Sequence, residues 1–226
     1  FKLSNKTFNL ISALLHESPP SQIEIFERNK ANILKLIIQN SSVFKFEIDS
    51  AHAPFEEISN QLNILFPKLT SETILVCDTN AIYSNIDIEK WQFAEISQFR
   101  ILITTSVLAD LDQHKMNHRV ESVRDKAKTL INKIKEYRRR GNILEGVSIV
   151  NNKITVQITG VEPDFTKTFG WLNKDNKDDR LIAEFLELAR LFANAPIYLV
   201  TADINLQTKC EIGLIPYMEP PQMHEV

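Results

Sequence analysis

Cysteine is scarce in this chain: its 226 residues hold two, Cys77 and Cys210. That excludes a disulfide-stapled scaffold and predicts a reducing, cytoplasmic setting, with a bond between the two cysteines left open. Glycine is also scarce, at five residues, too few for a glycine-rich phosphate-binding loop. No apolar run approaches the roughly 18 residues of a membrane-spanning helix. No charged segment leads into an apolar one at the start, so no signal peptide is expected. There is no HExxH pair, and no Ser or Cys nucleophile with a histidine base is evident. What is plentiful is apolar mass. Hydrophobic residues make up 43% of the chain, enough to bury a core in one or two domains.

The net charge of −3 hides an asymmetry. Residues 113–140 carry ten Lys and Arg against Glu121, Asp125 and Glu136, a net +7, which leaves −10 for the rest. A basic block on an acidic chain predicts a localised anionic partner.

Residues 1–70 read as a mostly helical region. Helices are expected over 5–16 and 21–39, separated by Pro19-Pro20. A short strand is expected over 43–48, and a third helix after Pro54. From 71 to 226 the pattern changes. Thr73–Cys77, Arg100–Thr104 and Ile197–Val200 are apolar, β-branched runs that read as buried parallel strands. Helices are expected over 87–98, 106–115, 119–140, 180–194 and 204–212, with Gly141 and Gly213 ending two of them. Residues 147–156 read as a hairpin turning on Asn151-Asn152, and 160–178 as a loop. Alternating strands and helices predict an α/β fold with a central parallel sheet.

Open parallel sheets bind ligands beyond the carboxyl ends of their strands. Asp78 follows the first strand directly. Thr104, Thr105 and Ser106 follow the second, with Asp110 one helical turn on. Thr201 and Asp203 follow the last. Asp175, Asp178 and Asp179 precede the helix near 180. One aspartate after a strand is ordinarily a helix cap, but four elements each delivering one to the same edge suggests more. Carboxylates crowded in a low dielectric repel, and a cation relieves them. Oxygen donors alone select hard ions, Mg²⁺ or Mn²⁺, and phosphoryl chemistry is the usual work of such a site. A haloacid-dehalogenase nucleophile would want a second aspartate at position 80, where this chain has Asn80.

The segments CDTNAIY (77–83), VLADLD (107–112), NKDDRLIA (176–183) and VTADINLQTK (200–209) resemble the successive signatures of PIN domains. The likeness is greatest to the PIN domains fused to PhoH-type ATPases, and it runs through the basic helix and hairpin over about 73–217. It implies a three-layer α/β/α fold and a metal-dependent ribonuclease acting on single-stranded RNA. Carried over by position, Asp78, Asp110, Asp179 and Asp203 are the catalytic and metal-ligating acids, with Asp178 a rival to Asp179. Asn80, Thr201 and Asn205 stand behind them as supporting groups. The chain departs from the pattern at Asp110, where Glu is usual, at Ala109, which removes a neighbouring acid, and at Thr104, which replaces a proline. The alternative reading is therefore an inactive PIN domain that binds RNA or protein. A partner-controlled toxin nuclease fits less well, because such chains are usually much shorter.

The helix at 119–140 carries a second expectation. Val120, Val123, Ala127, Leu130, Ile131 and Ile134 read as its buried stripe. Flanking it are two basic rows: Arg119, Lys126, Lys133 and Arg140 on one side, Arg124, Lys128, Lys135 and Arg139 on the other. Arg119, Arg124, Lys128, Lys135 and Arg139 are the expected RNA-phosphate contacts. Trp171 is a candidate for stacking on a base, while Tyr83 and Phe169 read as packing. His114 and His118 read as surface residues, and Asp112 as a solvated helix residue. Residues 1–70 are expected to dock a protein partner or cover the PIN domain, and a homodimer is left open.

Overall fold

The computed structural model describes residues 2–39, 45–65 and 72–221. Its centre is a six-stranded sheet in the order β3-β4-β2-β1-β5-β6, made of β1 (Thr73–Cys77), β2 (Phe99–Thr104), β3 (Val147–Val150), β4 (Ile154–Thr159), β5 (Ile197–Val200) and β6 (Tyr217–Met218). β3 and β4 pair antiparallel and every other pair is parallel. β1 is buried at all five positions, as its unbroken apolar run requires of a central strand covered on both faces. Helices α4 (Thr79–Ser84), α5 (Thr105–Asn117), α6 (Glu121–Arg140), α7 (Lys177–Leu191) and α8 (Ile204–Gly213) complete the α/β/α layers.

Register places the functional edge. Leu75 lies level with Ile101 and Tyr198, and Cys77 with Val200. Asp78, Thr104 and Thr201 therefore leave the sheet side by side.

Ahead of the sheet stand α1 (Lys2–Leu15), α2 (Pro20–Gln39) and α3 (Lys45–Leu65). Phe8, Leu15, Phe26, Ile33 and Ile58 form a small core of their own. Ala13, on another face of α1, belongs to the large core around the sheet, so α1 packs on both. Among the described residues no helix is long and apolar enough to cross a membrane.

Several local expectations are corrected. No strand runs over 43–48: residues 45–48 are the first turn of α3, while 43 and 44 lie outside the described residues. α3 runs through Pro54 instead of starting after it, and the proline deletes one backbone hydrogen bond inside the helix. The expected helix at 87–98 is a single 3₁₀ turn, Ile88–Lys90, followed by a bridge between Phe93 and Ile96. Its aromatics explain this. Trp91 is buried with its indole N–H donated to the Asn85 carbonyl, and Trp91, Phe93 and Phe99 form an edge-to-face chain. Trp91 and Phe93, two positions apart, thus both pack on the core, where a helix would point them to nearly opposite sides. The hairpin turns on three residues, because Val150 pairs with Ile154 and Asn152 takes a left-handed φ of 55°. α4 and β6 were not foreseen. Gly141 does follow α6, in extended backbone, whereas α8 includes Gly213 and its left-handed cap is Leu214. Cys77 and Cys210 are both free and buried.

Candidate active site

β1, β2 and β5 each hand the chain to a helix, and the capping residues are Asp78, Thr104 and Asp203. Asp78 Oδ1 accepts from the Ala81 N–H at 2.5 Å and caps α4. Its Oδ2 accepts from the Thr201 hydroxyl at 2.5 Å. Asp203 Oδ1 accepts from the Asn205 and Leu206 N–H groups and caps α8, while Oδ2 accepts from Asn80 Nδ2 at 3.4 Å. Capping and site-building are therefore not rival roles here. The cap fixes one oxygen of each carboxylate, and so fixes where the other points.

Asp78, Asn80, Asp110, Asp178 and Asp203 line one open cleft of about 670 Å³, together with Ser106, His114, His118, Lys177 and Arg180. Asp179 is not on its wall. It is 6% exposed, its Oδ2 accepts from the Asn173 N–H, and Lys209 Nζ stands 2.9 Å from Oδ1 as an ion pair. The structure thus turns Asp178 to the cleft and sinks Asp179 behind it. Asp178 accepts from Asn205 Nδ2 at 2.9 Å and pairs with Lys209 at 3.2 Å. Asp110 pairs with Lys177, which also donates to Gln113. Thr201 is fully buried and also receives the Asp203 N–H, so it ties the two cap aspartates together. Asp112 is exposed outside the cleft.

Among the described residues no three acid or histidine ligand atoms in this cleft lie within 4.8 Å of one another. The carboxylates stand apart, with Lys177 and Lys209 as their counter-charges. Repulsion still shows at Asp78. Burial pushes its carboxyl up to about 6, the charges of Asp203 and Asp178 add to the rise, and the Thr201 and Ala81 bonds oppose it. The donor set is all oxygen and its deepest member is reluctant to ionise alone. Those properties fit a hard divalent cation.

Four contributors escaped the sequence reading. Glu184 is fully buried on α7, accepts from Ser106 at 2.7 Å and pairs with Arg180; burial holds its carboxyl above the usual range. Lys177 and Lys209 lie inside the motif segments but were passed over for their acids. His114 lines the cleft on the same α5 face as Asp110, one turn on, with Nδ1 3.1 Å from the Tyr83 hydroxyl. The i, i+4 spacing of Asp110, His114 and His118 was the available signal. His114 and His118 are thus cleft residues, not bystanders on the surface.

The basic helix also needs correction. Tyr137 joins the buried stripe, while Val120 is 52% exposed at the helix start. Of the first basic row, Lys126 donates to the Tyr83 carbonyl, Lys133 pairs with Asp87 and Glu89, and Arg140 pairs with Glu136. Arg124 is occupied with the His118 and Arg119 carbonyls. Arg119, Lys128, Lys135 and Arg139 are exposed, with Lys128 in a surface pair with Asp125. Trp171 is 42% exposed and stacks on the buried Phe169, ring centroids 5.4 Å apart; Tyr83 is buried.

With the fold and these motifs in place, residues 75–217 match the family model of the PIN domain. The chain belongs to the PIN domain family. Its fold is therefore of the nuclease type, in a family whose members are generally metal-dependent hydrolases. No curated protein matches the chain.

Proposed function

We propose that this PIN domain is a Mg²⁺- or Mn²⁺-dependent endoribonuclease that cleaves single-stranded RNA. The observation that carries the reading is the convergence of Asp78, Asp110, Asp178 and Asp203 on one cleft of a PIN fold. In this reading Asp78, Asp203 and Asp178 hold the cation, and Asp110 completes the set or positions the attacking water. A divalent ion bound there supplies charge neutralisation for the scissile phosphate and lowers the pKa of a water. The chain's own groups do the rest. Thr201 and the Ala81 N–H hold Asp78 in place, and Asn80 orients Asp203. Asn205 and Lys209 hold Asp178, with Asp179 anchoring Lys209 from behind. Lys177, paired with Asp110 here, would be free for a phosphate oxygen if Asp110 held a cation. Arg119, Lys128, Lys135 and Arg139 track the strand. The kinship with PhoH-fused PIN domains and the division near residue 70 belong to the same reading, with residues 1–70 as a docking or covering region.

The alternative is a PIN domain that binds RNA or protein without cutting. The lysine pairs favour it: Lys177 on Asp110 and Lys209 on Asp178 and Asp179 already neutralise acids that a metal would need. One experiment separates the two. Wild type should cleave a single-stranded RNA with Mn²⁺ and stop in EDTA. Asp203→Asn should bind RNA as before and cleave at least 100-fold more slowly, with the fold intact because Asn is as good a cap. Salt-dependent binding by wild type with no metal-dependent cleavage gives the case to the binding module. Asp110→Glu then tests whether the missing methylene is the cause.

A further inference from the structure

Away from the cleft, the end of α1 meets α7 at a second cluster of ligand-type side chains. His16, Glu17 and Glu187 each place a ring nitrogen or carboxylate oxygen within 4.8 Å of the other two. The histidine is oriented from behind. Its Nδ1 lies 3.1 Å from the Ala13 carbonyl oxygen. A carbonyl only accepts, so Nδ1 carries a hydrogen, and the ring turns Nε2 toward the carboxylates. Nε2 is 3.5 Å from Glu17 Oε1. That separation is close to the edge of a tetrahedron whose metal–ligand bonds are about 2.1 Å.

Glu187 is held as well. Arg190 pairs with it and donates to the same Ala13 carbonyl. The Arg190 side chain is only 7% exposed, so this support is built into the α1–α7 contact. A backbone carbonyl on Nδ1–H and a charged partner on the carboxylate are the outer contacts that orient metal ligands. The carboxyl end of α1 adds its negative dipole end, which favours a cation.

The geometry points to a structural zinc site, with His16 Nε2 and the carboxylates of Glu17 and Glu187 as protein ligands and water in the fourth position. One nitrogen with carboxylate oxygens suits a borderline ion such as Zn²⁺, whereas Mg²⁺ keeps to oxygen and water in octahedral array. Two ligands come from the turn that follows α1 and one from α7, so the ion pins the helical region to the PIN domain. None of the three lines the acidic cleft, and the site stands whether or not the cleft is a nuclease.

The test uses the full chain with saturating Mg²⁺ to fill the cleft. Zn²⁺ is titrated by equilibrium dialysis and by thermal unfolding, and Co²⁺ is added separately as a visible-absorption probe. Wild type should take up one Zn²⁺ that Mg²⁺ does not displace, with a rise in Tm and a Co²⁺ absorption band. His16→Ala and Glu17→Gln should each weaken that Zn²⁺ at least tenfold and lose the Tm rise and the band. Glu17 is 68% exposed in its side chain, so its substitution leaves packing intact and decides the matter if His16→Ala fails to fold. Zn²⁺ binding equal in wild type and Glu17→Gln overturns the site, as does no uptake by wild type. In either case the cluster is a packing contact of α1 with α7 that holds no metal, with Glu187 paired to Arg190.

Discussion

Asp78 carries a penalty that folding imposes on it. Its carboxyl rises to about 6 in the folded chain, with burial the largest cause. A group whose folded pKa exceeds its unfolded value, here about 3.9, costs nothing at acid pH, where both states are protonated. The cost develops as pH rises through the two values and is complete above 6. Two units amount to about 2–3 kcal/mol. In EDTA, Asp78→Asn should therefore unfold at the wild-type temperature near pH 4 and be more stable by about that amount at pH 8, followed by circular dichroism. A wild-type advantage at pH 8 without metal would contradict the origin given for the shift. Gly213 makes a second prediction at this scale. A Cβ there would sit 2.9 Å from Phe169 Cε2. Gly213→Ala should cost about 1–3 kcal/mol, and a smaller residue at position 169 should recover part of it, by denaturant titration of the double-mutant cycle.

Among the elements, α6 divides its cations by the side they occupy. Lys133 bridges Asp87 and Glu89, and Tyr137 donates to Glu89 beside it. These contacts clamp the 3₁₀ turn to the helix. Lys128 and Lys135 point to solvent. The two groups should separate experimentally. Lys133→Gln should lower stability by about 1 kcal/mol and leave the salt dependence of RNA binding unchanged. Lys128→Gln with Lys135→Gln should leave stability unchanged and flatten the log–log salt slope by about 1.4, at roughly 0.7 per phosphate contact on a single strand. Filter binding from low to moderate salt reads the slope directly.

For the whole molecule the two cores are unequal. Among the described residues the helical region rests on five buried apolar side chains, whereas the sheet's core draws on every strand from β1 to β5. Local opening follows the smaller number of buried contacts. Amide hydrogen exchange should therefore be faster by at least tenfold in α2 and α3 than in β1, under conditions where the sheet is intact. Phe26→Ala should speed α2 and α3 further and leave β1 unchanged. Equal protection across the chain would mean the two cores unfold as one unit, with α1 as the coupling.

Much of this was legible in the residues themselves. Three of the strands read directly, because a strand covered on both faces needs an unbroken apolar run, and Thr73–Cys77 is one. The acids at strand ends were legible because a chain leaving a parallel sheet must cap a helix there, and Asp78 and Asp203 do so. The stretch from Ile86 to Phe99 was not legible, because its apolar spacing serves a helix and an aromatic chain alike and only the space beneath the sheet chooses. Nor was the choice between Asp178 and Asp179: adjacent residues on a helix point about 100° apart, and the phase of α7 against the sheet decides which one faces the cleft. The partners of charge were hidden for the same reason. Lys209 reaches Asp178 and Asp179, Arg180 reaches Glu162, and Arg190 reaches the Ala13 carbonyl across 177 positions. Sequence determines which side chains can cap, ligate or pair; packing sets the distances at which they do.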